Sequence, residues 1–170
     1  MTLKTAIAYT LAGLAAVSVA TMALPRHVSV ERAAIIGADS AAILALAASN
    51  AGFQRFNPYL TKDPNVAIDL FGPENGVGSG FNFDGRDGTG SQTVAAVTAE
   101  RVTYAVDLGP LGQPTQAITA TPTEGGAEVT WRVDADMGFN PVFRVMGLFM
   151  DTMMGPMFEQ GLENLAAATA

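Results

Sequence analysis

Six stretches between Pro64 and Asp136 alternate apolar and polar residues with a period of two, and this most constrains the fold. They read VAIDLF (66–71), GFNFD (80–84), SQTVAAV (91–97), RVTYAVDL (101–108), TQAITAT (115–121) and AEVTWRVDA (127–135). A period of two is the signature of a strand with one buried face, and the short Gly-, Pro-, Asn- and Asp-rich joints between the runs are turn chemistry. In RVTYAVDL, Val102, Tyr104, Val106 and Leu108 point one way while Arg101, Thr103 and Asp107 point the other. In AEVTWRVDA the split is Val129, Trp131 and Val133 against Glu128, Thr130, Arg132 and Asp134. The expectation is an antiparallel meander with one wet face.

Two further elements flank it. VSVERAAII (28–36) is β-branched and partly alternating, which adds a first strand. Gly37 breaks it, and Asp39 or Ser40 stands as an N-cap before AAILALAAS, where Ile43, Leu44 and Ala47 share a helical face. The segment from Asn140 to about Ala168 is the longest helix candidate. Arg144, Asp151, Glu159 and Glu163 fall near one stripe, leaving an apolar arc of Phe143, Met146, Phe149, Met150, Met153, Met157, Phe158, Leu162 and Leu165. Gly155-Pro156 inside this pattern predicts a kink, because proline removes a helical hydrogen bond.

The glycine-rich stretch GVGSGFNFDGRDGTGSQ (76–92) invites a phosphate or calcium reading. A phosphate loop should open a helix, whereas this one leads into more strand, and its acids match no calcium-loop spacing. Asn75-Gly76, Asp84-Gly85 and Asp87-Gly88 instead carry the chemistry of tight hairpin turns.

Composition narrows the function. The chain of 170 residues has room for one domain with a full core. Nine basic residues against sixteen acidic ones, with the arginines scattered singly, argue against a nucleic-acid partner. No cysteine and one histidine, His27, leave no thiolate chemistry, no histidine triad and no multi-histidine metal site. Neither a metal nor a cofactor is expected.

Residues 5–24, TAIAYTLAGLAAVSVATMAL, carry no charge and stop at Pro25-Arg26. About twenty such residues suffice to cross a hydrocarbon core as a helix. Thr21-Met22-Ala23 also loosely fits the small-x-small pattern before a signal-peptidase site. Residues 1–25 are therefore expected to be a signal peptide or a membrane anchor, and residues 28–170 a domain outside the cytoplasm.

The motifs also carry a resemblance. VERAAII, FNPYLTKDPNVAIDLFGPENGVGSGFNF, GSQTV and EVTWRVDADMGFNPVFRVMGLFMDTMMGPMFEQGLENLAA resemble the START-like superfamily, in its polyketide cyclase/dehydrase and lipid-transport (SRPBCC-type) branch. The likeness runs from about Val28 to Ala168, and the GPxNGVG turn and the GLFMDxMxGPxFExGLxNL helix are its most specific parts. It implies an α+β helix-grip fold: a curved seven-stranded antiparallel sheet around a long C-terminal helix, with a hydrophobic cavity between them. Similar members often carry tryptophans where this chain has Phe53 and Phe56, which keeps the wall aromatic but loses indole donors.

The resemblance implies binding or transport of an apolar small molecule or lipid. Phe71, Phe81, Phe83, Tyr104, Trp131, Met146, Phe149, Met150 and Met153 are the expected lining, although core packing would give the same pattern. A cyclase or dehydratase is the alternative and would need a buried acid. Asp69, Asp84, Asp107, Asp134 and Asp136 are the available carboxyls, with Tyr59 and Tyr104 as hydroxyl donors, and no catalytic motif selects among them. A third reading is an envelope-associated interaction module without ligand.

Overall fold

The computed structural model describes Thr5, Ile7, Tyr9 and residues 20–170. The first strand, β1 (His27–Ile36), leads into three short helices: α1 (Ser40–Ala47), α2 (Asn50–Gln54) and α3 (Pro58–Lys62). Six strands follow as β2 (Ala67–Phe71), β3 (Gly80–Gly85), β4 (Gly88–Val97), β5 (Arg101–Asp107), β6 (Thr115–Thr123) and β7 (Gly126–Asp136). Two helices close the chain, α4 (Pro141–Gly147) and α5 (Met150–Thr169). All neighbouring strands pair antiparallel in the order β1-β7-β6-β5-β4-β3-β2, so β1 returns beside the last strand of the meander. The seven strands expected from alternation are all present.

Alternation assigns the faces as expected. Val102, Tyr104 and Val106 of β5 and Ala127, Val129, Trp131 and Val133 of β7 are buried on the inner face. A bulge between Val94 and Ala96 shifts the β4–β5 register, a device that bends a strand. The helices cover the inner face. Asp39 caps α1 through its carboxylate, which accepts from the Ala41 N–H at 2.7 Å. Ser49 and Asn57 cap α2 and α3 in the same way.

Three expectations need correction. Asn75-Gly76 is not a two-residue hairpin turn: Phe71 pairs with Gly80, and the eight residues between them form a loop folded back on the helices. Asn50 N–H donates to the Glu74 carbonyl, Gly76 N–H to the Ala48 carbonyl, and Asn75 Nδ2 to the Ala45 carbonyl, with Gly76 at φ +86°. The exposed backbone of the helix ends and of the loop thus satisfy each other. In the β3–β4 hairpin the turn residues are Arg86 and Asp87, and only Gly88 of the two Asp-Gly glycines has positive φ.

The third correction concerns the C-terminal segment. It is broken at Leu148 and Phe149, and helix α5 runs through Pro156. Just before the break α4 sits hard against β1: a Cβ at Gly147 would lie 2.9 Å from Val28 Cγ2. The hydrogen bond that proline removes would have gone to Thr152, an exposed residue whose carbonyl water can satisfy. The expected stripe is also altered, because Arg144 is buried rather than solvent-facing. Among the described residues no helix is long and apolar enough to cross a membrane, and the leader or anchor expected over residues 5–24 lies mostly outside them.

Candidate functional site

Between sheet and helices the core is a connected set of rings. Phe53 of α2 lies 4.7 Å from Phe56, 5.4 Å from Phe81, 5.6 Å from Tyr104 and 5.8 Å from Trp131, centroid to centroid. Trp131 stacks on Phe158 of α5 at 5.2 Å with the planes 10° apart. Such pairs contribute about 0.5–1.5 kcal/mol each beyond the area they bury. The close stack depends on Gly161, where a Cβ would collide with Trp131 Cζ3.

The polar atoms in this core are matched. Trp131 Nε1–H donates to Gln116 Oε1 at 3.0 Å, and the Tyr104 hydroxyl donates to the Ala47 carbonyl at 2.9 Å. Burial pushes the Tyr104 phenol well above its ordinary pKa, which keeps it a donor. Among the described residues, no buried side-chain nitrogen or oxygen lacks a partner.

A cavity of about 10 Å³ lies between α1, α2 and strands β3 to β5, lined in part by Asn50, Phe53, Phe81, Gln92 and Tyr104. That is room for about one water, against the roughly 300–1,000 Å³ of a small-molecule site. At this place the rings of Phe53, Phe81 and Tyr104 leave no room for a small molecule. An open groove of about 470 Å³ lies on the other face of the sheet, bordered by Ser91, Thr93, Asp107, Gln113 and Thr115.

The nine expected lining residues separate into groups. Phe81, Tyr104 and Trp131 are buried together. Phe83 and Met150 are half-buried and pack on the same core, as do Ile68 and Met154, which alternation and helical spacing did not single out. Phe71 belongs to the outer face, where its ring covers Gly80 at 2.6 Å from the position of a Cβ. Met146, Phe149 and Met153 are outside, at 45 %, 56 % and 59 % exposure. The helix break explains these three: α4 and the start of α5 bury Arg144 and Gly147 instead of the methionine side.

None of the acids weighed for catalysis faces the interior. Asp69, Asp84, Asp107, Asp134 and Asp136 are all exposed. The Arg132 guanidinium lowers the Asp134 carboxyl, and Arg26, with the Gly138 N–H, holds Asp136 well below the usual carboxylate range. Tyr59 is at the surface at 36 % exposure, and His27 is exposed at the start of β1. A general acid at neutral pH needs the opposite shift. Among the described residues, no three acidic or histidine side chains meet in a cluster able to hold a metal.

Ion pairs fasten α5 to β1. The Arg32 guanidinium donates to Glu159 at 2.7 Å and to Asp151 at 2.8 and 3.1 Å. A Cβ at residue 155 would collide with this guanidinium, so Gly155 leaves the groove in which it lies. Arg144, buried at 6 % exposure, is held by carbonyls: it donates to Gly138 at 2.9 Å, Met22 at 3.0 Å and Leu24 at 2.7 Å.

With this geometry the comparisons agree. The chain belongs to the polyketide cyclase / dehydrase and lipid transport family, whose model matches residues 27–170. No curated protein matches. Among solved structures it is similar to the KanY protein, with TM-score 0.64 and 17 % identity over 84 % of this chain and 97 % of that one. Major latex-like protein 151 of Panax ginseng gives TM-score 0.61 and 16 % identity over 86 % and 99 %. The di-domain aromatase/cyclase StfQ of the steffimycin biosynthetic pathway gives TM-score 0.61 and 14 % identity, and there the match covers 84 % of this chain but half of the other. At these identities the likeness establishes the fold. It is the seven-stranded sheet and long C-terminal helix of this superfamily.

Proposed function

We propose that the chain binds an apolar small molecule or lipid between the sheet and the N-terminal half of α5, and that residues 5–24 export the domain or hold it at a membrane. One observation carries the reading: the interior is closed by rings from Phe158 onward, while Met150, Met154, Ile68 and Phe83 remain half-buried at the rim of that core. An apolar guest entering there covers surface already partly exposed, at roughly 25 cal/mol per Å² removed from water, without dismantling the Trp131 stack. Methionine side chains re-pack readily around such a guest. Asp69, Asp84, Asp107, Asp134 and Asp136 are all exposed, so the cyclase or dehydratase reading gains no inward carboxyl from them, and the inward Tyr104 hydroxyl is engaged by the Ala47 carbonyl.

A fatty acid bearing a chain-terminal diazirine, photolysed with the full chain and mapped by mass spectrometry, tests this. The expected adducts fall on Ile68, Phe83 or Met154, and the Met154→Trp variant loses them while still unfolding cooperatively. Adducts confined to exposed residues such as Val142 and Phe149, or none, refute the internal site.

A further inference from the structure

Exposed large apolar side chains elsewhere on the domain, such as Ile35, Leu70, Val97 and Leu111, are scattered singly. Residues 139–153 differ. Phe139, Val142, Val145, Leu148, Phe149 and Met153 are 41–69 % exposed, six large apolar side chains within fifteen residues that span α4, the break after it and the first turn of α5. A concentration of this kind on a soluble surface marks an interaction face.

What lies beside that face is fixed by hydrogen bonds. Arg144, on the buried side of α4, holds the carbonyls of Met22 and Leu24, the last residues of the uncharged run. The Arg26 carbonyl accepts from the Met137 N–H at 2.8 Å, and the Arg26 guanidinium pairs with Asp136 at 2.7 Å while lying 4.9 Å from the Phe139 ring centre. The end of the run is thus pinned to α4. Residues 22–24, where the uncharged run ends, therefore stay beside α4.

The charges of this region are few and internally matched. Arg144 is buried on carbonyls, and Asp151 is paired with Arg32. Neither a basic stripe nor a net positive charge is present to seek anionic partners, since the chain carries −7. The face suits a neutral apolar boundary better than an acidic protein or nucleic acid.

We propose that α4 and the first turn of α5 lie in the interface of the lipid bilayer that residues 5–24 enter, with Val142, Phe149 and Met153 among the acyl chains. This rests on the membrane reading of residues 5–24 given above. The half-buried rim at Met150 and Met154 then faces lipid, and an apolar guest passes between bilayer and sheet without crossing water.

The chain has no cysteine, so single Val142→Cys, Phe149→Cys and Met153→Cys variants of the full chain can each carry one bimane label. Thr123→Cys, at the end of β6 and paired with Gly126 at the start of β7, is the reference. The proteins are incorporated into phosphatidylcholine vesicles, floated on a density gradient, and compared in vesicles with and without bromines on the acyl chains. Quenching by about twofold at 142, 149 and 153, little at 123, and no dependence on salt is expected. Flotation with all four labels equally unquenched overturns the docking while leaving the anchor intact. Absence of flotation removes the anchor and the docking together. Labels shielded from water but untouched by bromine show a second copy or another part of this chain on the face, which also overturns the proposal. Unchanged Trp131 emission in the variants verifies the fold.

Discussion

The two halves of α5 share one helix and differ in nearly everything else. From Gly155 to Leu165 the helix buries Phe158, Gly161, Leu162 and Leu165 against Trp131 and the short helices. From Met150 to Met154 it buries no residue fully, and before it Val142 and Met146 of α4 and Phe149 of the break are left in solvent. The C-terminal half is a packed core with one glycine per close contact. The N-terminal half is tied to β1 by the Arg32 pair with Asp151 and packs on the core only through the half-buried Met150 and Met154, while the second arm of the Arg32 fork reaches Glu159 in the other half. The difference separates the two tasks of the fold, stability at one end and access at the other. An exposed ion pair is a weak fastening, and a stacked indole is a strong one.

The largest way to break the comparison is Trp131→Ala. Removing a fully buried indole from a stack on Phe158 is expected to cost about 3–5 kcal/mol in denaturant unfolding. Phe149→Ala, by contrast, is expected to change stability by less than about 0.5 kcal/mol. Similar losses in the two variants would abolish the distinction. Next comes Gly161→Ala, which forces a methyl into the Trp131 ring and should cost about 1–3 kcal/mol, with a displaced near-ultraviolet circular dichroism signal.

Acid should act on the weaker half. Folded-state pKa values of Asp151 and Asp136 are lowered by Arg32 and Arg26 respectively. Their contribution is therefore complete above the unfolded carboxylate pKa, about 4, and is lost as pH falls toward the folded values. Urea midpoints measured between pH 6 and pH 3 are expected to drop, and Arg32→Ala should flatten the part of that drop due to Asp151. An unchanged acid profile in Arg32→Ala would show that the fork does not hold α5. Smallest of all, Met153→Ser is expected to leave the urea midpoint within error while reducing diazirine adducts near Met150 and Met154.

The strands were legible because alternation records burial directly, as Tyr104 against Thr103 or Trp131 against Arg132 show. The long C-terminal segment was less legible. Reading 140–168 as one helix placed Arg144 on a polar stripe with Asp151, but the break at Leu148 and Phe149 removes the common axis on which such a stripe depends. Arg144 is buried with its guanidinium on the nearby Gly138 carbonyl and on the carbonyls of Met22 and Leu24, about 120 residues away, a circumstance local pattern does not encode. Phe71 lies on the outer face: it pairs with Gly80, while Leu70 pairs with the inward Phe81, so register follows the partner strand as well as the apolar count. The family likeness implied a cavity. Whether it is open depends on how far Phe53, Phe56 and Phe158 reach, which the pattern of apolar residues leaves free.

Native-state hydrogen exchange along α5 tests the central claim most directly. If the N-terminal half opens by itself, amides of residues 153–156 that carry an N–H exchange through a local fluctuation, at least about a hundredfold faster than those of residues 161–166, whose exchange follows global unfolding. Adding an apolar ligand should slow the first group alone. Uniform protection from Met153 to Ala166, with or without ligand, would show one rigid helix on a closed core and would contradict the account.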